Sequence, residues 1–501
     1  MAGPMTGRRR VIVVGAGLGG LSAACHLVGR GHGVVVLERG DEPGGRAGRI
    51  LRDGFTFDTG PTVLTMPELL ESTVRAAGAE LTDLLTLRPL DPAYRACFAD
   101  GSTIRVRRGR EAMTEEIRSQ CGPGEADAFG RFWEWLERLY RLEMAAFIDR
   151  NYDRPWDLVR PVGPALHLIR AGAMRSLHGK VASFFRDERL RRLFSFQALY
   201  AGLAPHQARA VYAVITYMDA VAGVYVADGG VGAVPRALAA AAEKGGATFR
   251  YGVEVDQIVR AGGSRGAVRG VTSTHGEFFP ADAVVVNADR PVAWQTMLPD
   301  LAPRRRLSSP TYSPSAYVWH IGMRGRPEAN VAHHNIHFGS DWRGAFRALL
   351  HDGQRMPDPS LLVTVPTVSD QSLAPAGAST LFVLEPVPNL HGKVDWAVAH
   401  GETRNRLESL LTQWGYLPDA GREIVAEHGV DPTDWSRMGM AAGTPFSLAH
   451  TFFQSGPFRP SNVDRRVPGL VFVGSGTVPG VGVPMVLISG RLAAERVERL
   501  P

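Results

Sequence analysis

Val11-Ile12-Val13-Val14-Gly15-Ala16-Gly17-Leu18-Gly19-Gly20 is the stretch on which the fold turns. Its first four residues are an apolar run of the kind a strand buried on both faces shows. Gly15, Gly17 and Gly20 follow at once in GxGxxG spacing. Leu21 to Arg30 reads as a helix that stops at Gly31, and a second apolar run covers Val34 to Leu37. Glu38 closes that run about twenty residues past the loop, where a ribose contact falls. The physics requires each part, since glycines admit a pyrophosphate to the backbone, the helix start faces its charge, and the carboxylate accepts from ribose hydroxyls. The alternative, glycines serving helix-to-strand packing alone, does not require the acid in register.

An ADP half is common to nicotinamide and flavin dinucleotides, so this loop does not choose between them. Directly after Glu38 comes Arg39, Gly40, Asp41, Glu42, Pro43, Gly44, Gly45, Arg46, Ala47, Gly48, a glycine-arginine loop that a plain nicotinamide domain does not need. A solvated loop cation is the plain alternative for Arg46. Later segments also return to such a sheet. Gly229, Gly230 and Gly232 precede an alanine-rich helix from Ala233 to Ala242, followed by strands over Ala247 to Tyr251 and Val253 to Val259. The GGxG spacing, with no acid closing a following strand at the ribose distance, speaks against a second dinucleotide site there. Ala283 to Val286 is a buried strand ending in Asn287, Ala288, Asp289. Leu470 to Val473 runs into the loop Gly474 to Pro484 and a helix from Val486 to Leu500, and such a loop offers N–H groups to an anion. A tight turn ending the sheet is the other reading of that loop.

At 501 residues the chain predicts two or more domains. Charged residues at 21% against 45% hydrophobic exclude wholesale disorder. Glycine, at 57 residues, exceeds the roughly 7% usual in folded chains and signals close backbone approaches. The net charge of +6 is spread without an aromatic-interleaved basic block, which argues against nucleic acid. Cys25, Cys97 and Cys121 are odd in number and in no ligand spacing, so neither a disulfide framework nor a metal site is expected, and a cytoplasmic setting fits. Two uncharged stretches, Val11 to Gly29 after Arg8, Arg9 and Arg10, and Val467 to Gly490, imitate a signal peptide and a membrane span. Glycines break both, and Pro468, Pro479 and Pro484 the second, so neither a targeting peptide nor a spanning helix is expected.

The Gly44-Gly45-Arg46 loop resembles the GG motif of the flavin amine oxidase and carotenoid desaturase superfamily, where it backs the flavin diphosphate. The likeness extends from Val11 to about Arg496 and is most specific in the middle of the chain. There, Phe57 to Pro61 with Thr62, Lys180 to Phe185, Phe194 to Phe196, Asp370 with Ser372 to Pro375, Phe446 with Ser447, Gln454 with Ser455, and Phe458 to Pro460 resemble bacterial phytoene desaturases of the flavin-dependent carotenoid desaturase family. Ser475, Val478, Val481 and Met485 depart from the family pattern, which bears on the polyene used more than on flavin binding.

The resemblance implies an α/β fold: a Rossmann-like FAD-binding domain of glutathione-reductase type, built from 1–110, 222–306 and 441–501, with an inserted α+β substrate and lid region from 111–221 and 307–440. The implied FAD contacts are Gly15, Gly17, Gly20, Glu38, Arg39, Gly44, Gly45, Arg46, Gly60, Pro61, Val255, Gly474, Gly476, Thr477, Gly482 and Val483. The implied reaction is desaturation of a long-chain carotene such as phytoene toward lycopene, with quinone or oxygen as final electron acceptor. Related readings are a carotene isomerase or later-step desaturase, a prenyl-lipid carrier of the same fold without flavin chemistry, and a flavin amine oxidase. In the first insertion Trp133, Leu136, Leu139 or Tyr140, and Phe147 recur at helical spacing. Asp157 and Arg160 match a carboxylate and arginine pair considered as acid and base in the family; an exposed ion pair is the other reading. A carotene dissolves in membrane, so the amphipathic stretch Trp156 to Arg175 is expected either to lie on the bilayer, making the protein peripheral, or to be a buried lid helix.

Overall fold

The computed structural model describes residues 7–158, 162–263, 265–301, 310–328, 330–417, 419 and 421–500. Arg10–Val14 is the central strand of a five-stranded parallel sheet. The order across it is Leu470–Phe472, Ala283–Val286, Arg10–Val14, Gly33–Leu37, Thr248–Arg250. Alternation along the central strand splits its side chains between two cores. Val11 and Val13 pack with Leu21, Val285 and Leu487, whereas Ile12 and Val14 pack with Ile258, Val284 and Leu298. Each such burial contributes about 2 kcal/mol before entropy is counted. On the first face lie the helices Leu18–Gly29, Ala233–Lys244 and Val483–Glu498; on the second lies the antiparallel sheet Val255–Arg260, Val268–Ser273, Phe278–Pro280.

The predicted strands and helices of this unit are present within a few residues of the expected bounds. The stretch Val467 to Gly490 is strand, loop and helix, and among the described residues no helix is long and apolar enough to cross a membrane.

A second sheet of seven strands builds the inserted region, in the order Ile424–Val430, Ser315–Arg324, Ala378–Val387, Leu361–Thr364, His334–Phe338, Tyr94–Phe98, Thr103–Val106. All its pairs are antiparallel except His334–Phe338 with Tyr94–Phe98. This pairing corrects the expected boundary at 110, because the strands between 94 and 106 join the inserted sheet. The helix Pro123–Glu143 buries Phe129, Phe132, Trp133, Leu136 and Leu139 and runs into a π-helical turn over Met144–Ile148. The short helix Ala213–Tyr217 packs on it and runs into a second π-helical turn, Met218–Ala222.

Asp58 joins the two units through its carbonyl, which accepts from His320 Nε2 at 2.9 Å. Its carboxylate accepts from the backbone N–H groups of Val231 (2.9 Å) and Gly232 (2.7 Å), and burial raises its pKa to about 6. Asp370 takes the N–H of Gly229 at 2.7 Å. The Gly229 loop therefore spends its amides on two carboxylates of the chain itself, in keeping with the absence of a ribose acid.

Candidate functional site

A cavity of about 1580 Å³ runs between the two units. At one end its wall is mostly main chain. The Leu18–Gly29 helix begins at Gly17 with no side-chain cap, so its first N–H groups are available to an anion. A Cβ on Gly17 would come within 2.7 Å of Asn287 Nδ2, and one on Gly20 within 2.2 Å of the Gly15 carbonyl oxygen. Gly17 thus keeps the loop open beneath Asn287, while Gly20 serves helix-to-strand contact and does not line the cavity. The second loop is stitched to the first by a bridge between Gly17 and Gly44, with Gly44 N–H donating to the Ala16 carbonyl at 2.9 Å.

Glu38 is buried and accepts from Ala16 N–H (2.6 Å) and Gly40 N–H (2.9 Å). Those bonds pin the carboxylate at the cavity wall. Arg46 donates to Ser475 Oγ and, at 2.6 Å, to Asp289 Oδ1, while Asp289 Oδ2 accepts from Ala441 N–H at 3.1 Å. One guanidinium so gathers four distant segments. The C-terminal loop is held from behind by Arg459, which is buried and donates to the carbonyls of Thr477 (2.9 Å) and Ser475 (2.6 Å); burial lowers its pKa to about 10.

Of the sequence-derived contacts, Gly15, Gly17, Glu38, Arg39, Gly44, Gly45, Arg46, Gly60, Pro61, Val255, Gly474, Gly476, Gly482 and Val483 line the cavity. Gly20 and Thr477 do not; Thr477 is buried with its hydroxyl donating to the Pro460 carbonyl at 2.7 Å. Arg39 reaches across to the Met438 carbonyl at 2.6 Å. Asn287, Asp289 and Arg459 were visible as residues but carried no contact motif.

The other end of the cavity is hydrocarbon, with Leu168, Phe196, Ile336, Phe338, Phe382 and Leu384 among its walls. Two carboxylic side chains interrupt it. Glu143 and Asp219 are each 3% exposed, and Glu143 Oε1 and Asp219 Oδ2 have no hydrogen-bond partner. Nothing in their spacing marks them, since an acid on a helix reads by default as solvated.

Of the expected acid and base pair only Asp157 lies within the described residues. Asp157 is buried but is not among the cavity walls; its Oδ2 accepts from the N–H groups of Asp153 and Arg154, both at 3.0 Å, which is the work of a turn-forming carboxylate. Arg160 lies outside the described residues. His320, His333 and His334 are buried on the seven-stranded sheet, and burial holds all three pKa values down, to about 4 for the first two. His400, Asp431 and Asp434 form one cluster with metal-ligand potential. Asp431 there caps the helix Pro432–Arg437 and accepts from His400 at 2.8 Å, so the donors are used within the fold.

At the cavity mouth Ile169, Met174, Phe452 and Phe458 are both wall and surface. Around them Trp156, Val162, Leu166 and Phe453 are exposed, Phe453 by 74%. The turn Pro155–Leu158 touches the turn Gly456–Phe458, and Arg154 lies over the Trp156 ring at 5.2 Å.

Residues 18–498 match the family of flavin-containing amine oxidoreductases. The chain is 48% identical to a phytoene dehydrogenase of Streptomyces griseus, across 97% of this chain and 94% of that one. It is 40% identical to a zeta-carotene-forming phytoene desaturase of Myxococcus xanthus, across 98% and 94% respectively. Among solved structures it superposes on cyclohexylamine oxidase from Brevibacterium oxydans with a TM-score of 0.58 at 17% identity, across 98% of this chain and 99% of that one, a likeness of fold.

Proposed function

Because the chain belongs to the flavin-containing amine oxidoreductase family, and within it to the phytoene desaturases, we propose that it converts phytoene by stepwise dehydrogenation into lycopene or a similar conjugated polyene. FAD is the cofactor and a carotene the substrate. The observation that carries the reading is the two-ended cavity: a glycine and arginine cradle continuous with a hydrocarbon pocket. The cradle fits FAD. Amides at the Gly17 helix start and the Arg46 guanidinium would hold the diphosphate, and Glu38 would accept from a ribose hydroxyl. FAD, when bound, supplies the two-electron acceptor.

The rest falls to the chain. Apolar walls draw a carotene out of lipid and keep water from the reacting carbons. Arg459 and Arg46 hold the C-terminal loop closed against the cradle. The exposed apolar residues at the mouth, flanked by Arg154, Arg170 and Arg175, suit peripheral attachment to an anionic bilayer, with the protein cytoplasmic and the electrons passing to quinone or oxygen. Sedimentation with anionic liposomes tests the attachment; a protein left wholly in the supernatant refutes it.

Expression in cells that accumulate colourless phytoene tests the reaction. New visible absorption bands in extracted pigment, absent with empty vector, are the expected result, and their position reports the number of conjugated double bonds. Unchanged phytoene beside a flavin-loaded protein overturns the substrate. A change of isomer without new double bonds replaces desaturation by isomerisation.

A further inference from the structure

The hydrocarbon end of the cavity contains ionisable groups that flavin binding does not use: Glu143, Asp219 and His450. We propose that Asp219 is the proton acceptor of the desaturation, taking the proton from the carbon next to the one that gives up hydride. This inference rests on the carotene reading above.

Its geometry singles it out. Asp219 sits in the π-helical turn Met218–Ala222, an irregularity that pushes a side chain out of the helical ladder and recurs at functional sites. It is 3% exposed, lines the cavity, and keeps Oδ2 without a partner. The titratable groups acting on it are the hydroxyls of Tyr94, from the strand Tyr94–Phe98, and Tyr200, from the turn Phe196–Ala201; no cation is among them. The Tyr94 hydroxyl is the donor that faces the Asp219 carboxylate, and its ring packs on His334 at 5.6 Å. A buried carboxylate oxygen without a partner, served nearby by one tyrosine hydroxyl and no cation, costs free energy that a structural role does not repay.

The rival groups are less suited. Burial holds the Glu143 carboxyl well above the ordinary carboxylate range, which favours its protonated form and weakens it as a proton acceptor. Burial and the Arg459 guanidinium hold the His450 imidazole far below its ordinary value, which makes it a weak base. Burial sets Asp219 at about 7, where acceptance and release of a proton are both easy. In the balanced step one substrate C–H leaves as hydride to FAD. The adjacent C–H bond then gives its electron pair to the new C=C bond and its proton to the Asp219 carboxylate. Proton loss from Asp219 to solvent resets the acid for the next turnover.

Anaerobic single-turnover reduction of bound FAD by phytoene in liposomes, followed across pH, tests this. In the unaltered protein the rate is expected to rise with pH through about 7. Asp219→Asn is expected to slow it by about 10²-fold or more and to flatten the profile, with FAD content unchanged, and Asp219→Glu to restore part of the rate. Independently of turnover, the infrared band of a protonated carboxyl that titrates near neutrality in the substrate-free holoprotein is expected to vanish in Asp219→Asn. An Asp219→Asn protein with the original rate and pH profile overturns the proposal, and so does a profile that shifts with Glu143→Gln instead. Failure of the unaltered protein to reduce its flavin with any carotene removes the desaturase reading itself, a distinct outcome.

Discussion

The two ends of the cavity are built from different material. The cradle is mostly main chain, so its shape depends on where a Cβ is absent; the hydrocarbon end is side chain, drawn from a sheet and helices scattered over Glu143 to Phe458. A main-chain site fails abruptly when a side chain is added. A side-chain site is tuned by degrees. The chain is thereby free to change substrate at one end while keeping its cofactor at the other.

Acid is expected to separate the two ends most strongly. His206, His320, His333, His334, His337 and His450 belong to the inserted region or the cavity beside it, and burial depresses all six, His337 to about 3 and His206 to about 4. A depressed folded-state pKa contributes stability that is present above the ordinary value near 6.5 and is lost as pH falls toward the folded value. The buried carboxyls of Asp58, Glu143, Asp219 and Glu385 are raised and have the opposite sign, so acid favours them in the fold. The depressed histidines outnumber the raised carboxyls, so stability is expected to fall as pH drops below about 6. Trp294 alone among the tryptophans lies outside the inserted region as the sheet defines it. Tryptophan fluorescence is therefore expected to change at a higher pH than FAD release; simultaneous change defeats the distinction.

Gly20→Val comes next. The added atoms meet the Gly15 carbonyl, at a cost of about 4 kcal/mol, and the protein is expected to purify without the yellow of flavin. Phe338→Ala is the counterpart at the other end. Phe338 is buried and stacks on Phe98 at 5.2 Å, so the loss is about 3 kcal/mol by thermal melting. Flavin content is expected to stay intact while the pigment profile shifts. Phe453→Asp at the exposed mouth is expected to change stability by less than about 0.5 kcal/mol and to weaken liposome sedimentation. Equal flavin loss in the glycine and phenylalanine variants erases the contrast between the ends.

Legibility follows the same division. Strand, loop and acid from Val11 to Glu38, and the Gly474 loop, were readable because backbone demands leave a spacing in the sequence. Gly20 and Thr477 show the limit of that reading: a motif names the residues a loop needs, not which of them face the ligand. Tyr94–Phe98 reads as a strand of either unit until its parallel pairing with His334–Phe338 assigns it. Glu143 and Asp219 left no mark because burial, which gives them their interest, is set by other elements, such as the strand that brings Tyr94 to Asp219. Asp157 stood out by resemblance, and its Oδ2 accepts from the N–H groups of Asp153 and Arg154.

The parallel sheet of the cradle is begun by Arg10–Val14 and ended by Leu470–Phe472, and the helix Val483–Glu498 lies against Leu18–Gly29 with Ser22 Oγ donating to the Leu487 carbonyl at 2.7 Å. A ribosome emits the chain from the first of these to the last. The opening strand gains Gly33–Leu37 early, but its sheet must wait for Ala283–Val286 and then for the edge strand Leu470–Phe472. Cofactor loading is thereby deferred until the Gly474 loop and the helix Val483–Glu498 have been made, and a nascent chain that stops short of them carries the phosphate loop without a finished pocket to receive FAD.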